Sequence, residues 1–309
     1  MRTEKWIKRN TEDLAGKTVA ITGSTGGLGR ELCRYLAALG ASLVLVDRNT
    51  ERSEGFRREL LGEFDGIEVL CVRADLEDIG SVKAACEQLK ALPIDVFIHN
   101  AGAYSIPRHK CDTGYDNVFQ INFISPYYMI RELLPYLEAR QGRVVVVSSI
   151  AHSYSKADEN DVDFSGRSAS SKVYGNAKRY LTYSLFELFR DERKVTLSVT
   201  HPGISFTNIT AHYPKLIYAV IKHPMKLIFM RPRRACLSVL RGVFEPCGYC
   251  EWIGPRLFDI WGLPKRKKLN TATAEERRYI GRTAERIYFE AVEHIRRINL
   301  TGEESNEDQ

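Results

Sequence analysis

A glycine-rich turn between an apolar strand and a helix is the feature that most constrains the fold. Residues 18–22 form an apolar, β-branched run that predicts a strand, and a run with helical spacing follows the turn. The glycines between them permit a tight turn and a close approach to a pyrophosphate, which the free N–H groups of the helix N-terminus favour. They fit two templates, G-x-x-x-G-x-G and G-x-x-G-x-x-G, which share Gly23 and Gly29 and differ in using Gly27 or Gly26. The turn predicts a dinucleotide-binding unit without choosing between them.

Strand-like and helix-like segments then alternate along the chain. Further apolar segments predict strands at residues 42–46, 67–72, 95–98, 143–147 and 195–200. Segments with the apolar spacing of helices lie between them. This alternation predicts an α/β fold with a Rossmann-type, doubly wound parallel sheet. We expect a single domain over residues 1–300 that includes a substrate lid at 204–230 and a C-terminal helix at 272–298. The acidic residues 301–309 are expected to be a disordered tail.

Polar residues follow several predicted strands at their carboxyl ends, where ligands bind in sheets of this kind. Asp47 follows the second strand, about 18 residues beyond the last glycine, where a carboxylate can accept hydrogen bonds from the adenosine ribose. Asp75 follows the third strand, and residues 100–102, Asn-Ala-Gly, follow the fourth. These positions predict the cofactor side of the site.

Tyr174 and Lys178 stand one helical turn apart, so both side chains leave one face of the helix predicted from residue 170 to 190. Alone, this spacing also fits an ordinary amphipathic helix. Ser149 lies just beyond the end of the strand at 143–147 and could hydrogen-bond a substrate oxygen. Because a phenol has a pKa of about 10, we expect Lys178 and an oxidised nicotinamide to lower the pKa of Tyr174 and make it a general acid or base.

Asn122 lies within a long apolar segment, residues 115–137, which is predicted to be helical and interrupted at Pro126. A buried asparagine needs hydrogen-bond partners. Two roles remain open for it from the residues alone, bracing of a neighbouring backbone segment or catalysis.

Together these motifs resemble the classical short-chain dehydrogenases/reductases over residues 17–207, and in particular the retinol-dehydrogenase-like group. The likeness rests on T-G-x-x-x-G-x-G at 22–29, N-A-G at 100–102, Asn122, Ser149, Y-x-x-x-K at 174–178 and P-G-x-x-x-T at 202–207. The 25-residue spacing from Ser149 to Tyr174 is similar to that group, and His99 is a small departure from the commoner asparagine. The resemblance favours the first glycine template.

The resemblance implies roles for individual residues. It makes Asn122, Ser149, Tyr174 and Lys178 catalytic, with Lys178 also binding the nicotinamide ribose and Asn122 holding a water of the proton relay. It implies no metal, and Asp75 would contact adenine. The full set of cofactor-binding residues that it implies is Gly23, Ser24, Gly27, Leu28, Gly29, Asp47, Arg48, Asp75, Leu76, Asn100, Ala101, Gly102, Tyr174, Lys178, Pro202, Ile204 and Thr207.

The function expected from this set is an NAD(P)-dependent oxidoreductase that interconverts an alcohol and its carbonyl compound. A nucleotide-binding regulatory or scaffold protein is the alternative, although binding alone needs no proton donor at Tyr174. An epimerase or dehydratase is disfavoured by the Asn-Ala-Gly at 100–102 and by the short C-terminal region.

NAD is the expected cofactor, because Asp47 should repel the 2′-phosphate of NADP and residues 24–28 contain no lysine or arginine. NADP is the alternative, since the resemblance implies that Arg48 stands where NADP-binding members of the family often carry a basic residue. The apolar segment at 204–230, punctuated by lysines, predicts a lipophilic substrate and a peripheral membrane contact.

Partners and compartment follow from composition and from the faces of the helix at 170–190. Tyr180, Tyr183 and Phe186 recur on the side away from Tyr174, and a helix apolar on both faces predicts a homodimer or homotetramer. The net charge is +6, but no aromatic residues are interspersed in the basic runs, which argues against nucleic-acid binding. Seven scattered cysteines favour reduced thiols in the cytoplasm.

Overall fold

The structure is a computed structural model that describes residues 3–191, 194–203 and 230–307, with side chains through residue 300. Its strands are β1 (Thr18–Thr22), β2 (Ser42–Asp47), β3 (Val69–Arg73), β4 (Val96–His99), β5 (Arg143–Val147), β6 (Thr196–Thr200), β7 (Glu251–Leu257) and β8 (Trp261–Lys268). Its helices are α1 (Thr3–Asn10), α2 (Gly27–Ala38), α3 (Thr50–Glu63), α4 (Ile79–Lys90), α5 (Asn117–Phe119), α6 (Ser125–Ala139), α7 (Ser170–Leu188), α8 (Pro232–Ala235), α9 (Leu237–Phe244) and α10 (Ala274–Glu307). A π-helical turn, Gln120–Ile124, joins α5 to α6, and a 3₁₀ turn, Ile150–Ser153, follows β5.

The strands form one eight-stranded sheet in the order β3-β2-β1-β4-β5-β6-β7-β8. All pairs are parallel except β7 with β8, which form an antiparallel hairpin at one edge. The order reverses between β1 and β4, and a ligand crevice is expected at this switch point, beyond the carboxyl ends of the two strands. The doubly wound sheet predicted from the alternation of strands and helices is therefore confirmed, with one antiparallel edge strand added.

Helices cover both faces of the sheet, which explains why its strands read as continuous apolar runs. In β5, Val144 and Val146 join the core cluster formed with α4, α6, α7 and α10. Val145 and Val147 point to the other face, where α1, α2, α3 and α9 pack. The N-terminal helix α1, which the polar sequence of this segment did not predict, buries Trp6 in this second cluster.

The C-terminal helix α10 covers the face of α7 that lies away from Tyr174. Tyr180 donates to the hydroxyl of Tyr279 at 3.3 Å, and Tyr183 hydrogen-bonds to Thr271. Phe186 is buried in the same cluster. The second apolar face of α7 is thus buried within the chain and gives no support for an oligomer, so the homodimer or homotetramer stays a prediction.

Three further regions differ from the sequence-based expectations or lie beyond them. The hairpin β7–β8 was not predicted, because its sequence is basic and rich in glycine and proline rather than alternating. The terminal helix continues to Glu307, so residues 301–307 are helical rather than a disordered tail, as the helix preference of the glutamates there allows. The predicted lid at 204–230 falls almost wholly on residues 204–229, which lie outside the described residues.

Among the helices described, none has a segment both long and apolar enough to cross a membrane.

Candidate active site

Two strand ends at the switch point are joined by hydrogen bonds from Asn100. Its side-chain amide donates to the carbonyl oxygens of Thr22 at 3.0 Å and Gly23 at 3.1 Å. The Thr22 hydroxyl accepts from the backbone N–H groups of Asn100 and Ala101, both at 3.0 Å. Asn100, expected among the cofactor-binding residues, therefore braces the loop after β4 against the glycine turn.

The glycine turn needs its first and last glycines for steric reasons. Gly23 has a φ of +68°, and a Cβ there would lie 2.9 Å from the Cα of Ala101. A Cβ on Gly29 would lie 2.2 Å from the carbonyl oxygen of Gly23. Gly26 caps α2 and Gly27 begins it, so both middle glycines lie at the helix N-terminus. The two templates thus describe one turn.

A cavity of about 300 Å³ opens beside this turn at the carboxyl ends of β1, β2 and β3. It brings together the predicted residues Gly23, Asp47, Arg48, Asp75, Leu76, Ala101 and Gly102. Sequence reasoning missed other residues that line it, among them Thr25, Asn49, Arg52, Ile106 and Ile121, none of which is a specified position of the motifs. Its position and size suit the adenosine half of a dinucleotide.

Asp47 is held at the wall of this cavity by three hydroxyl groups. Its carboxylate accepts from Thr25 Oγ1 at 3.1 Å, from Ser53 Oγ at 3.2 Å and from Ser24 Oγ. It is 7% exposed. Ser24 is fully buried and serves to orient Asp47. The neighbouring Arg48 extends into solvent, with an ion pair to Glu77 at 3.8 Å.

Asn122 lies in the π-helical turn between α5 and α6 and is fully buried. Its side-chain amide donates to the carbonyl oxygens of Ala103 and Val118, both at 2.8 Å, and its oxygen accepts from the Ala103 N–H at 3.2 Å. Asn122 therefore braces the loop after β4. Pro126 stands in the first turn of α6, after the π-helical turn, so it begins a helix rather than interrupting one.

Ser149 and Tyr174 meet where β5 ends. Ser149 caps the 3₁₀ turn, and its hydroxyl accepts from the Ala151 N–H at 3.2 Å. Burial raises the pKa of Tyr174 to about 12, and a hydrogen bond from the Ser149 hydroxyl opposes the increase. Burial of the phenol therefore opposes the lowered pKa expected for Tyr174. That expectation also invoked the charge of an oxidised nicotinamide, so it stays a prediction for the cofactor-bound protein.

Lys178 is 3% exposed and donates to the Val147 carbonyl oxygen at 3.1 Å. Its Nζ lies 5.7 Å from the centre of the Tyr174 ring. Burial lowers the pKa of Lys178 to about 7. A Cβ on Gly102 would lie 2.8 Å from Asn122 Oδ1 and 3.5 Å from Lys178 Nζ, so both side chains lie next to this glycine. The four residues predicted to be catalytic thus gather around one point at the strand ends.

Arg179 is a buried residue behind the site that sequence reasoning missed. It forms hydrogen bonds of 2.7 and 2.6 Å to the Glu276 carboxylate of α10 and donates to the His152 carbonyl oxygen at 2.9 Å. His152 Nδ1 lies 2.7 Å from the Ser149 carbonyl oxygen. This network ties α10 to the turn that carries Ser149. Because Arg179 and Glu276 are 97 residues apart, no local pattern could reveal it.

The remaining predicted residues are less informative. Leu28 packs at the start of α2, and Pro202 lies after β6. Ile204 and Thr207 lie outside the described residues.

Comparison with known proteins identifies the family. Residues 17–215 match the short chain dehydrogenase model. An uncharacterized oxidoreductase of Schizosaccharomyces pombe is 28% identical over 80% of this chain and 77% of its own. Human retinol dehydrogenase 14 is 35% identical over 64% of each chain, and the chloroplastic short-chain dehydrogenase TIC 32 A of Brassica napus is 30% identical over 63% of this chain and 66% of its own.

Solved structures share the fold. An uncharacterized protein from Mycobacterium paratuberculosis superposes with a TM-score of 0.71 at 22% identity, covering 93% of this chain and 96% of that one. A 3-oxoacyl (acyl-carrier-protein) reductase from Agrobacterium tumefaciens with NADP bound has a TM-score of 0.60 at 20% identity, covering 79% and 92%.

The chain belongs to the short-chain dehydrogenase family, and this membership makes it an NAD(P)-dependent short-chain dehydrogenase/reductase. The matched region spans about two thirds of the length of the plant and mammalian relatives.

Proposed function

We propose that this protein interconverts an alcohol and its carbonyl compound by hydride transfer, with Tyr174 as the proton donor or acceptor. The observation that carries the proposal is the gathering of Ser149, Tyr174, Lys178 and Asn122 at the strand ends, beside the cavity that suits the adenosine half of a dinucleotide. The alternative, a nucleotide-binding regulatory or scaffold protein, leaves this arrangement without a purpose.

The residues present fit a nicotinamide dinucleotide. Gly23 and Gly29 keep the turn before α2 compact, and the free N–H groups of that helix face the position of a pyrophosphate. Asp47 supplies a carboxylate at the end of β2. When bound, the cofactor supplies or accepts the hydride.

The chain's own side chains then handle the oxygen and its proton. In the reductive direction, Ser149 donates a hydrogen bond to the carbonyl oxygen and positions it beside Tyr174. As the carbonyl carbon gains a hydride, the Tyr174 hydroxyl gives its proton to the oxygen, leaving a phenolate. Lys178 uses one N–H on Val147, and its other N–H bonds remain for the ribose and for stabilising that phenolate.

The pKa of Tyr174 favours this reductive role. With a pKa of about 12, the phenol holds its proton at neutral pH and is ready to act as an acid. Oxidation of an alcohol would instead require the phenolate. The protonated phenol that burial favours is thus the form that carbonyl reduction requires.

A lipophilic substrate is supported by the aromatic residues around Tyr174. The Tyr104 ring packs edge-on against Tyr174, with centroids 5.3 Å apart, and Ile106 lies on the same loop. Tyr154, whose side chain is half-exposed, follows the turn that carries Ser149. These side chains would contact an extended apolar substrate better than a sugar. The identity to retinol dehydrogenase 14 agrees with this class.

For the cofactor we propose NAD, because the buried Asp47 carboxylate would stand close to a 2′-phosphate. NADP is the second candidate, since Arg48 and Arg52 line the same cavity. Titration of the protein with each cofactor tests the choice. Asp47→Asn should reduce the ratio of NAD affinity to NADP affinity. Tighter binding of NADP than of NAD by the wild type would refute the proposed preference for NAD.

The reaction is tested by following nicotinamide absorbance with both cofactors across aliphatic ketones and aldehydes of increasing length. We expect kcat/KM to rise with chain length. A preference for small polar substrates would contradict the lipophilic assignment. Cofactor binding without turnover of any alcohol or carbonyl compound would favour the regulatory alternative.

A further inference from the structure

The turn of the β7–β8 hairpin exposes three large apolar side chains within five residues. Phe258 is 91% exposed, Leu257 53% and Trp261 41%. We call these three residues the hairpin tip. The other exposed large apolar residues in the described part of the chain are scattered over several helices and loops. Single exposed apolar residues are ordinary, but a group of this kind marks a contact site.

The backbone of the turn gives no structural reason for a phenylalanine at its apex. Phe258 has a φ of 51° and the next residue, Asp259, a φ of 57°. A bulky side chain is disfavoured in this left-handed region, which glycine and asparagine adopt more easily. Phe258 therefore occupies a strained position while burying almost none of its ring within the chain.

The turn is held in place by polar contacts beneath it. His201 Nε2 donates to the Asp259 carbonyl oxygen at 2.9 Å, and Lys267 pairs with the Asp259 carboxylate at 2.9 Å. Lys267 also donates to the Pro255 carbonyl oxygen at 2.9 Å. The tip is therefore presented on a braced turn, which reduces the entropy lost when it contacts a partner.

Basic side chains surround the hairpin tip. Arg231, Arg233 and Arg234 line a cavity of about 370 Å³ together with Trp261. Arg256 precedes the tip and lines a second cavity with Arg9 and Lys265. Within the described residues, Arg231, Arg234 and Arg256 form no ion pair, so their charges are available to a partner.

We propose that the hairpin tip and these arginines dock the protein onto the surface of an anionic lipid bilayer. Apolar side chains on a convex turn can enter the acyl boundary, a tryptophan suits the interface, and arginines beside them pair with lipid phosphates. An apolar groove on a protein partner is a poorer match, because it would have to enclose the arginines that line a cavity with Trp261. Docking is independent of the proposed reaction.

The docked face lies close to the active-site side of the sheet. A Cβ on Gly203, just beyond β6, would lie 2.6 Å from the Ile260 carbonyl oxygen in the turn. The hairpin thus adjoins the chain segment that follows Pro202. If the substrate is lipophilic, docking would bring the site within reach of the membrane that dissolves it.

Sedimentation with vesicles tests the proposal. The wild type should bind vesicles of phosphatidylglycerol and phosphatidylcholine, bind pure phosphatidylcholine weakly, and be released as salt is raised. The variant Leu257→Ser with Phe258→Asn should bind the anionic vesicles at least about tenfold more weakly, since two apolar side chains no longer leave water. Asparagine suits the left-handed backbone, so the variant should unfold at a temperature no lower than the wild type.

Phe289→Ser, a change at another exposed phenylalanine, on α10, is the matched control and should bind like the wild type. Arg231→Gln with Arg234→Gln should lose the preference for anionic vesicles while keeping the apolar tip. Equal binding by the wild type and the tip variant would overturn the proposal. Equally strong binding of the wild type to anionic and to neutral vesicles would also overturn it. A third contrary result is a wild type that binds no vesicles but self-associates with rising concentration, with the self-association abolished in the tip variant.

Discussion

The buried ammonium of Lys178 should make the folding stability of this protein depend on pH in a way that one substitution removes. Lys178 is 3% exposed, and within the described part of the chain its only hydrogen bond is to the Val147 carbonyl oxygen. The substitution Lys178→Met keeps a chain of similar length and removes the charge. It should abolish catalysis and stabilise the fold at neutral pH.

The magnitude follows from the lowered pKa. Burial moves the pKa of Lys178 from the ordinary 10.5 to about 7. Each unit of pKa difference between the folded and unfolded states is worth about 1.4 kcal/mol, so the charged side chain costs up to about 5 kcal/mol in the folded state. Loss of the hydrogen bond to Val147 offsets about 1 kcal/mol of that gain in the methionine variant, at every pH.

The sign of the pH dependence is set by which state holds the proton. Below the folded pKa both states are protonated, and the full cost is present. Between pH 7 and 10.5 the unfolded chain keeps a proton that the folded protein has lost, so the stability of the wild type rises with pH. From about pH 7 to about pH 8.5 this contribution should be roughly 1.5 kcal/mol. The methionine variant should lack it.

Urea unfolding followed by tryptophan fluorescence over this range measures the effect, because the other titrating groups contribute alike to wild type and variant. Lys172→Met is the control, an exposed lysine on the same helix whose removal should leave the wild-type pH dependence intact. Parallel pH profiles for the wild type and the Lys178 variant would refute the assignment of a strained buried ammonium.

Two other substitutions probe the framework of the site. Gly29→Ala should lose several kcal/mol of stability and most cofactor affinity, since its Cβ would lie 2.2 Å from the Gly23 carbonyl oxygen. Calorimetric titration with NAD measures the affinity. An alanine variant that binds NAD normally would argue against the close turn. Arg179→Met should lower the free energy of unfolding by about 3 kcal/mol or more, because it leaves the Glu276 carboxylate unpaired. The double variant Arg179→Met with Glu276→Met should recover much of that loss. Urea unfolding measures both.

Local patterns were enough to predict the parallel part of the sheet and the residues that gather at its strand ends. The glycine turn, the Asn-Ala-Gly loop and the Tyr174–Lys178 pair each depend on short-range geometry, and parallel strand ends must converge at one edge of the sheet. The predicted strands β1 and β5 match the structure residue for residue.

Long-range packing could not be predicted in this way. The cover that α10 places on α7 joins segments about a hundred residues apart, so spacing alone could not show that the apolar face of α7 is buried within the chain. The hairpin β7–β8 forms because the polar edge strand β8 pairs with β7. The sequence of β8 does not alternate apolar and polar residues, so it carries no strand pattern. The pKa of Tyr174 likewise depends on how completely the surrounding protein excludes water, which spacing alone does not reveal.

The most direct test of the proposed function is the turnover of Tyr174→Phe. The variant keeps the ring that packs against Tyr104 and removes only the hydroxyl, so the fold and cofactor binding should be unchanged. With the best carbonyl substrate and the preferred reduced cofactor, we expect kcat to fall by about 10²-fold or more, as for a lost general acid, while the dissociation constant of the cofactor stays at the wild-type value. A kcat close to that of the wild type would contradict proton transfer by Tyr174.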